Sequence, residues 1–170
     1  NLLMEKILFA PHPKLRQHAN TIDKVTEKEI IISKKMIEIM KKAPGVGLAA
    51  NQVGVLHRVI VIHLPEEEYP IIYINPEITS REGEREVEEG CLSIPGYRGF
   101  IMRAVQVKVK GQNQEGKIVK VTADGLLSQA IEHEIDHLDG ILYVDHLTHH
   151  DKLEKLSPDD DIRNSILTTR

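Results

Sequence analysis

Residues 129–140 read QAIEHEIDHLDG, and within them His133, Glu134 and His137 have the types and spacing for metal chemistry. In an α-helix, residues four apart lie about 40° apart around the axis, so both imidazoles project from one face and can share a cation. Glu134 lies about 60° round from His137, off the ligand line but near enough to reach a water beside the ion. Leu126 and Ala130 continue the histidine stripe toward the helix start, and Leu127, Ile131 and Leu138 form an adjoining apolar stripe. The pair is therefore expected at the edge of a buried face. The same H-E-x-x-H pattern also arises by chance in ordinary helices, with the histidines accommodated at the helix edge and the glutamate paired to a lysine.

The class of chemistry turns on a third ligand, because a catalytic site of this type uses three protein donors and keeps one position open. The extended pattern H-E-x-x-H-x-x-G-x-x-H would place a histidine at 143, but residue 143 is Tyr143. A protease of the thermolysin kind needs a downstream glutamate, and Glu154, near the chain end, is the only one. His146, His149 and His150 are further donors without a packing signal around them. Cys91 remains. A single buried cysteine is often only a small hydrophobe. This one follows Gly90, which permits close backbone approach, and precedes the turn-rich SIPGYRG, expected to form a loop at a strand end.

The elements that must hold these residues can be read in outline. TEKEIIISKKMIEIMKKAPG predicts a helix, with Thr26 and Glu29 as a capping box and Pro44-Gly45 as its stop. Ile30, Ile37 and Met40 are expected on its buried face, and Lys34, Lys35, Lys41 and Lys42 in solvent. RVIVIHL and PIIYINPEI read as strands, the first buried on both faces. In AVQVKVKG, Val105, Val107 and Val109 alternate with Gln106, Lys108 and Lys110, and GKIVKVTA after a short turn completes a hairpin. The histidine helix follows, capped by Asp124 or Thr122 and ended by Gly140. The order predicts an α+β fold, a mainly antiparallel sheet packed around a central helix that carries the H-E-x-x-H motif. Residues 1–150 are expected to form a single catalytic domain and 151–170 a weakly structured tail.

Composition narrows the function. A chain of 170 residues with 41% hydrophobic content supports one domain with a core. A net charge of −4 disfavours direct nucleic-acid binding. No apolar run approaches the ~18 residues of a membrane span, and the start lacks the pattern of a signal peptide. One cysteine excludes an intrachain disulfide and suits a reducing compartment. A cytoplasmic location is expected, or an organellar matrix if the chain is a trimmed form.

Three motifs in this order, GVGLAANQ, EGCLSIP and HEIDHLDG, resemble those of the bacterial-type peptide deformylases, and the resemblance runs from about Met4 to His146. It implies removal of the formyl group from N-formyl-methionyl nascent polypeptides. It implies Cys91, His133 and His137 as metal ligands and Glu134 as general base and acid. Gln52 and the backbone N–H of Leu92 would stabilise the oxygen of the attacked formyl group, and Gly47 would bind the peptide backbone in strand fashion. The substrate pocket would draw on Val46, Val87, Glu89, Gly90, Leu126, Gln129 and Ala130, with Arg98 at its mouth. Gln129 departs from the apolar residue common at that place and is otherwise read as exposed on the first helical turn. Glu132, less usual than a neutral Gln there, is expected to face outward. One divalent metal per chain is implied, Fe(II) in the cell, with Zn(II), Ni(II) or Co(II) compatible with the donor set in preparations.

The chemistry agrees with these roles: formamide hydrolysis at neutral pH needs an activated water, an oxyanion partner and a proton for the leaving amine. Two rival readings stand beside it. One is an H-E-x-x-H metallopeptidase cutting internal peptide bonds. The other is an inactive metal-binding homologue, against which the presence of Gln52, Cys91, Glu134 and both histidines argues. Some relatives dock on the ribosome through a basic terminal helix. Here Lys152, Lys155, Arg163 and Arg170 nearly cancel against Asp151, Glu154, Asp159, Asp160 and Asp161, so at most weak ribosome binding is expected.

Overall fold

The computed structural model describes residues 6–149 and 152–157. After a 3-10 helix at Pro13–Arg16 comes α1 (Glu27–Lys42). Strand β1 (Gly47–Ala49) passes into a 3-10 helix at Ala50–Val53. Then follow β2 (Val59–Ile62), β3 (Ile71–Glu82), β4 (Arg85–Cys91), β5 (Ile94–Arg103), β6 (Gln106–Gln112) and β7 (Ile118–Asp124). Helix α2 (Gly125–Leu138), a 3-10 helix at Tyr143–His146 and β8 (Leu153–Lys155) complete the order. The fold is α+β, with antiparallel pairing between all the named strands, but the strands form two sheets rather than one: five strands ordered β1-β2-β3-β6-β7, and three ordered β4-β5-β8. No helix among the described residues is long and apolar enough to cross a membrane.

The larger sheet lies between the two helices, and β2 shows why its sequence is apolar at every position. Ile60 and Ile62 point into a core shared with Ala130, Ile131, Ile135 and Leu138 of α2. Val59 and Val61 point the other way, into a core with Ile32, Met36 and Met40 of α1. A strand buried on both faces reads as a continuous hydrophobic run. The small sheet has its own cluster of Val87, Cys91, Ile101 and Tyr143.

Helix α1 starts with the expected capping box: the Thr26 hydroxyl accepts from Lys28 N–H, and the Glu29 carboxylate accepts from Thr26 N–H at 2.7 Å. Its buried stripe is Glu29, Ile32, Ser33, Met36 and Met40, so Ile30 and Ile37 flank the stripe rather than forming it. In β6, Val107 and Val109 are buried as expected, whereas Val105 precedes the strand and is exposed.

One further expectation is corrected. SIPGYRG is not a loop. After a tight turn, Ile94–Arg103 returns as β5 alongside β4, with a register shift between Glu89 and Cys91 and a positive φ of 82° at Gly96 absorbing the irregular stretch. Beyond residue 150 the described chain continues into β8. Leu153, Glu154 and Lys155 add a third strand to β5, Leu153 packs on the small sheet's cluster, and Leu156 is buried. The expectation of a weakly structured tail otherwise concerns residues 151 and 158–170, which lie outside the described residues.

Candidate metal centre

Helix α2 is buried almost all round rather than along one edge: Ser128 to Ile135 are all buried, as are His137 and Leu138. Asp124 occupies its N-cap without a side-chain capping bond. Gly140 follows the C-cap with φ 75°, and a Cβ there would stand 2.6 Å from the Arg16 carbonyl oxygen, so the exit from α2 requires glycine. The helix therefore delivers its polar residues into the protein interior, where each must find a partner.

Cys91 is the last residue of β4, and the β4–β5 turn sets its thiol against the histidine face of α2. Its Sγ is 3.2 Å from His137 Nε2, which is 3.2 Å from His133 Nε2. All three donor atoms lie within 4.8 Å of one another on buried residues, the one such His/Cys/Asp/Glu group among the described residues. A tetrahedral ion with bonds of about 2.0–2.3 Å would hold its donors roughly 3.3–3.6 Å apart, close to the two 3.2 Å spacings, so the set suits one metal. Glu154 is elsewhere, paired with Arg98, and His146 bonds Asp136. His150 lies outside the described residues.

Support for the ligands comes from residues for which the sequence offered no such role. Glu89 was expected to line a substrate pocket. Its carboxylate is fully buried beside the ligands, accepting from His133 Nδ1 at 2.7 Å and from Arg103 Nε and Nη2 at 2.7 and 2.8 Å. With Nδ1 engaged by Glu89, His133 directs Nε2 toward Cys91 and His137. Arg103 reaches on to Asp136 at 2.7 Å, and Asp136 also meets His146 at 2.8 Å. The Asn51 amide donates to the His137 carbonyl and ties the turn after β1 to α2. Tyr143 stacks on His133 with ring centroids 6.3 Å apart. The alternation of β5 placed Arg103 inward as clearly as Ile101, and an inward arginine demands a buried acid. That was the signal available for Glu89.

The electrostatics follow from burial and pairing. Burial alone would raise the Glu89 pKa, but its bonds to Arg103 and His133 outweigh that and hold it down to about 2. Burial opposes charge on His133, yet Glu134, Cys91 and Glu89 together hold its pKa well above the usual value. Burial, then the neighbouring His133, pushes His137 well below it. Burial lifts Glu134 to about 7 despite the opposing pull of His133, so its carboxyl can take and release a proton near neutrality. Glu134 Oε1 is buried without a hydrogen-bond partner among the described residues.

Around this cluster stand the other predicted residues. Glu134 Oε2 lies only 2.3 Å from where a Cβ on Gly47 would be, so the glycine is what admits the carboxylate. Gln52 is buried; its Oε1 accepts from Ala49 N–H at 2.9 Å, and its Nε2 points to Ser93 Oγ at 3.1 Å and Cys91 Sγ at 3.7 Å. Leu92 sits in the turn beside Cys91, with its side chain partly buried against the α1 core. Gly90 is buried at the register shift before Cys91.

The residues assigned to the substrate pocket come from several elements. Val46, Leu126 and Ala130 share the α2 core cluster, whereas Val87 belongs to that of the small sheet. Gln129 is buried rather than exposed, and its Nε2 donates to the Glu88 carbonyl at 2.9 Å, joining α2 to β4. Arg98 bridges Glu88 and Glu154 at 3.2 and 2.9 Å. Glu132 also turns inward, accepting from Ala104 N–H at 2.9 Å and Arg81 Nε at 3.2 Å, because β6 and the end of β5 cover that side of the helix.

Comparison with known proteins agrees with this geometry. The family model described as polypeptide deformylase matches residues 4–153. A peptide deformylase of Dehalococcoides mccartyi strain CBDB1 is 42% identical over 165 residues, 97% of this chain and 99% of the relative. One from Halothermothrix orenii is 49% identical over 133 residues, 78% of this chain and 86% of its own. Among solved structures, a peptide deformylase from Legionella pneumophila superposes with a TM-score of 0.82 at 42% identity, covering 85% of this chain and 86% of that one. A peptide deformylase from Synechococcus elongatus, in complex with actinonin, gives 0.83 at 35% identity, covering 89% of this chain and 82% of that one.

Proposed function

The chain belongs to the polypeptide deformylase family, and from that premise we propose that it hydrolyses the N-formyl group of N-formyl-methionyl nascent polypeptides, releasing formate and a free N-terminal methionine. The observation that carries the reading is the convergence of Cys91 Sγ, His133 Nε2 and His137 Nε2 beside a buried Glu134.

We assign Cys91, His133 and His137 as the ligands of one divalent ion, Fe(II) in the cell and Zn(II), Ni(II) or Co(II) in preparations. The ion supplies Lewis acidity, which makes water nucleophilic near neutral pH. Glu134 takes the proton of the attacking water at its free carboxylate oxygen and passes it to the leaving nitrogen. Gln52 Nε2 and Leu92 N–H act as oxyanion donors, worth about 2.7–4 kcal/mol each where such donors have been removed in other enzymes. Gln52 is pre-aimed, because its Oε1 is already fixed by Ala49 N–H.

The backbone of β1 supplies the peptide-binding edge. Val46 C=O accepts from His63 N–H at 2.7 Å, and Gly47 pairs with Ile62. Alternate residues of an antiparallel strand bond to the same neighbour, so Gly47 turns its N–H and C=O to the open side. The methionine side chain is assigned to the space near Val46, Leu126 and Ala130. The catalytic unit is read as one domain that includes β8, acting in the cytoplasm without strong ribosome docking through residues 151–170.

The test is formate release from formyl-Met-Ala-Ser, compared with acetyl-Met-Ala-Ser and with a blocked, non-formylated peptide. Formate from the first alone is expected. Internal cleavage of the blocked peptide would favour a metallopeptidase instead, and no reaction with any of the three an inactive homologue.

A further inference from the structure

We propose that the groove between the N-terminal segment and the end of α1 receives the downstream part of the formylated peptide and favours acidic side chains there. The proposal rests on the deformylase reading above, and the β1 edge gives its direction. Toward higher numbers the edge runs into buried chain, since Ala49, Ala50, Asn51 and Gln52 are all buried. Toward lower numbers it opens, with Gly45 half-buried and Pro44 exposed. A peptide whose formyl group sits at the Cys91–His133–His137 cluster therefore leaves antiparallel to β1, past Gly47 toward Ala43. At about 3.3 Å per extended residue, roughly its fourth to sixth residues pass Ala43 and Lys42.

Those two residues line a groove of about 520 Å³. Its walls carry Lys6, Lys35 and Lys42 against one acid, Glu38, over an apolar floor that includes Ile7 and Ile39. Phe9 lines it and is 57% exposed. Among the described residues none of the three lysines is ion-paired. Complementing the α1 C-terminus accounts for Lys42. It does not account for Lys35, two turns upstream, or for Lys6, which comes from a different segment. Both walls are tied to the metal centre. Leu8 N–H donates to the Gln52 carbonyl at 2.7 Å and Ala10 N–H to the Ser93 carbonyl at 2.9 Å, so Phe9 is held between two anchors beside the candidate site. The α1 wall continues directly into β1. Clustered cations in a chain of net charge −4 match an acidic segment with interspersed apolar residues.

The test uses two formyl-Met-Ala-Ser heptapeptides differing in residues four to six, Asp-Leu-Asp in one and Lys-Leu-Lys in the other. Each kcat/KM is divided by that for formyl-Met-Ala-Ser on the same protein. The wild type is expected to prefer the acidic peptide about threefold to tenfold at low salt, the size of one or two exposed ion pairs. The preference should shrink in 0.5 M NaCl, a concentration chosen to screen such pairs. The double variant Lys35→Glu, Lys42→Glu should reverse it. Equal values for the two peptides on the wild type, or an unchanged ratio in the double variant, would overturn the proposal while leaving deformylation standing. Failure to hydrolyse formyl-Met-Ala-Ser itself would instead overturn the reading on which the proposal rests.

Discussion

Glu134 and Gly47 depend on each other for space. The carboxylate occupies the space that any side chain at 47 would need. Replacing Glu134 with Ala should leave the three ligand atoms in place and remove the proton carrier, so metal content should persist while turnover falls by at least ~10²–10⁴-fold. Near wild-type turnover in that variant would refute the role given to Glu134. Gly47→Ala should act through the same atoms. With Glu134 walled in by buried neighbours, the added methyl displaces the carboxylate, and kcat should drop while bound metal stays near one per chain. A Gly47→Ala enzyme with an unchanged kcat would show that the carboxylate moves freely, contrary to its burial.

At the scale of elements, each functional residue rides on a segment with its own reason to fold. Thr26→Ala removes the hydroxyl cap of α1 and should cost about 1 kcal/mol, read from denaturant unfolding. A loss under a few tenths would mean the Glu29 arm of the box suffices alone. How far the sequence could be read also divides by element. The α1 cap, the doubly buried β2, the β6–β7 hairpin and the H-E-x-x-H helix were legible because local pattern and tertiary burial agree there. Cys91 stood out as the one soft donor, and three motifs in order supplied its role. The inward turn of Glu132 was not legible because a helical wheel separates faces only when one of them is wet, and α2 has almost no wet face. Strand β5 was missed because Pro95, Gly96 and Gly99 imitate a loop, and β8 because three residues carry no periodicity. Strand β5 forms against its sequence neighbour β4 across the Leu92-Ser93 turn, whereas β8 forms through a partner distant in sequence, with Arg98 bonding Glu154.

For the whole molecule, the buried ionic network sets how stability depends on pH. Glu89 is held at about 2 against an ordinary 4.5, and Asp136 and Glu29 are also held below their ordinary values. Groups depressed in the folded state contribute stability that is complete above their unfolded values and lost as pH falls through the folded ones. His133, raised in the folded state, contributes in the opposite sense: its share is full below about 6.5, the ordinary value, and fades as pH rises through its folded value. Metal-free protein should therefore lose melting temperature steeply from pH 4.5 toward 2. Glu89→Gln should start lower and fall less over that window. Parallel curves for the two proteins would contradict the assignment of this acid sensitivity to Glu89.

The central claim is that one metal, held by Cys91, His133 and His137, makes this chain a deformylase. The most direct measurement is anaerobic titration of metal-free protein with Fe(II), following formate release from formyl-Met-Ala-Ser and bound metal on the same samples. Activity should rise in proportion to bound metal and break at one ion per chain, and Cys91→Ser should neither retain the ion after dialysis against chelator nor reach that activity. Formate release that is independent of bound metal, or a Cys91→Ser protein that keeps a full equivalent, would contradict it.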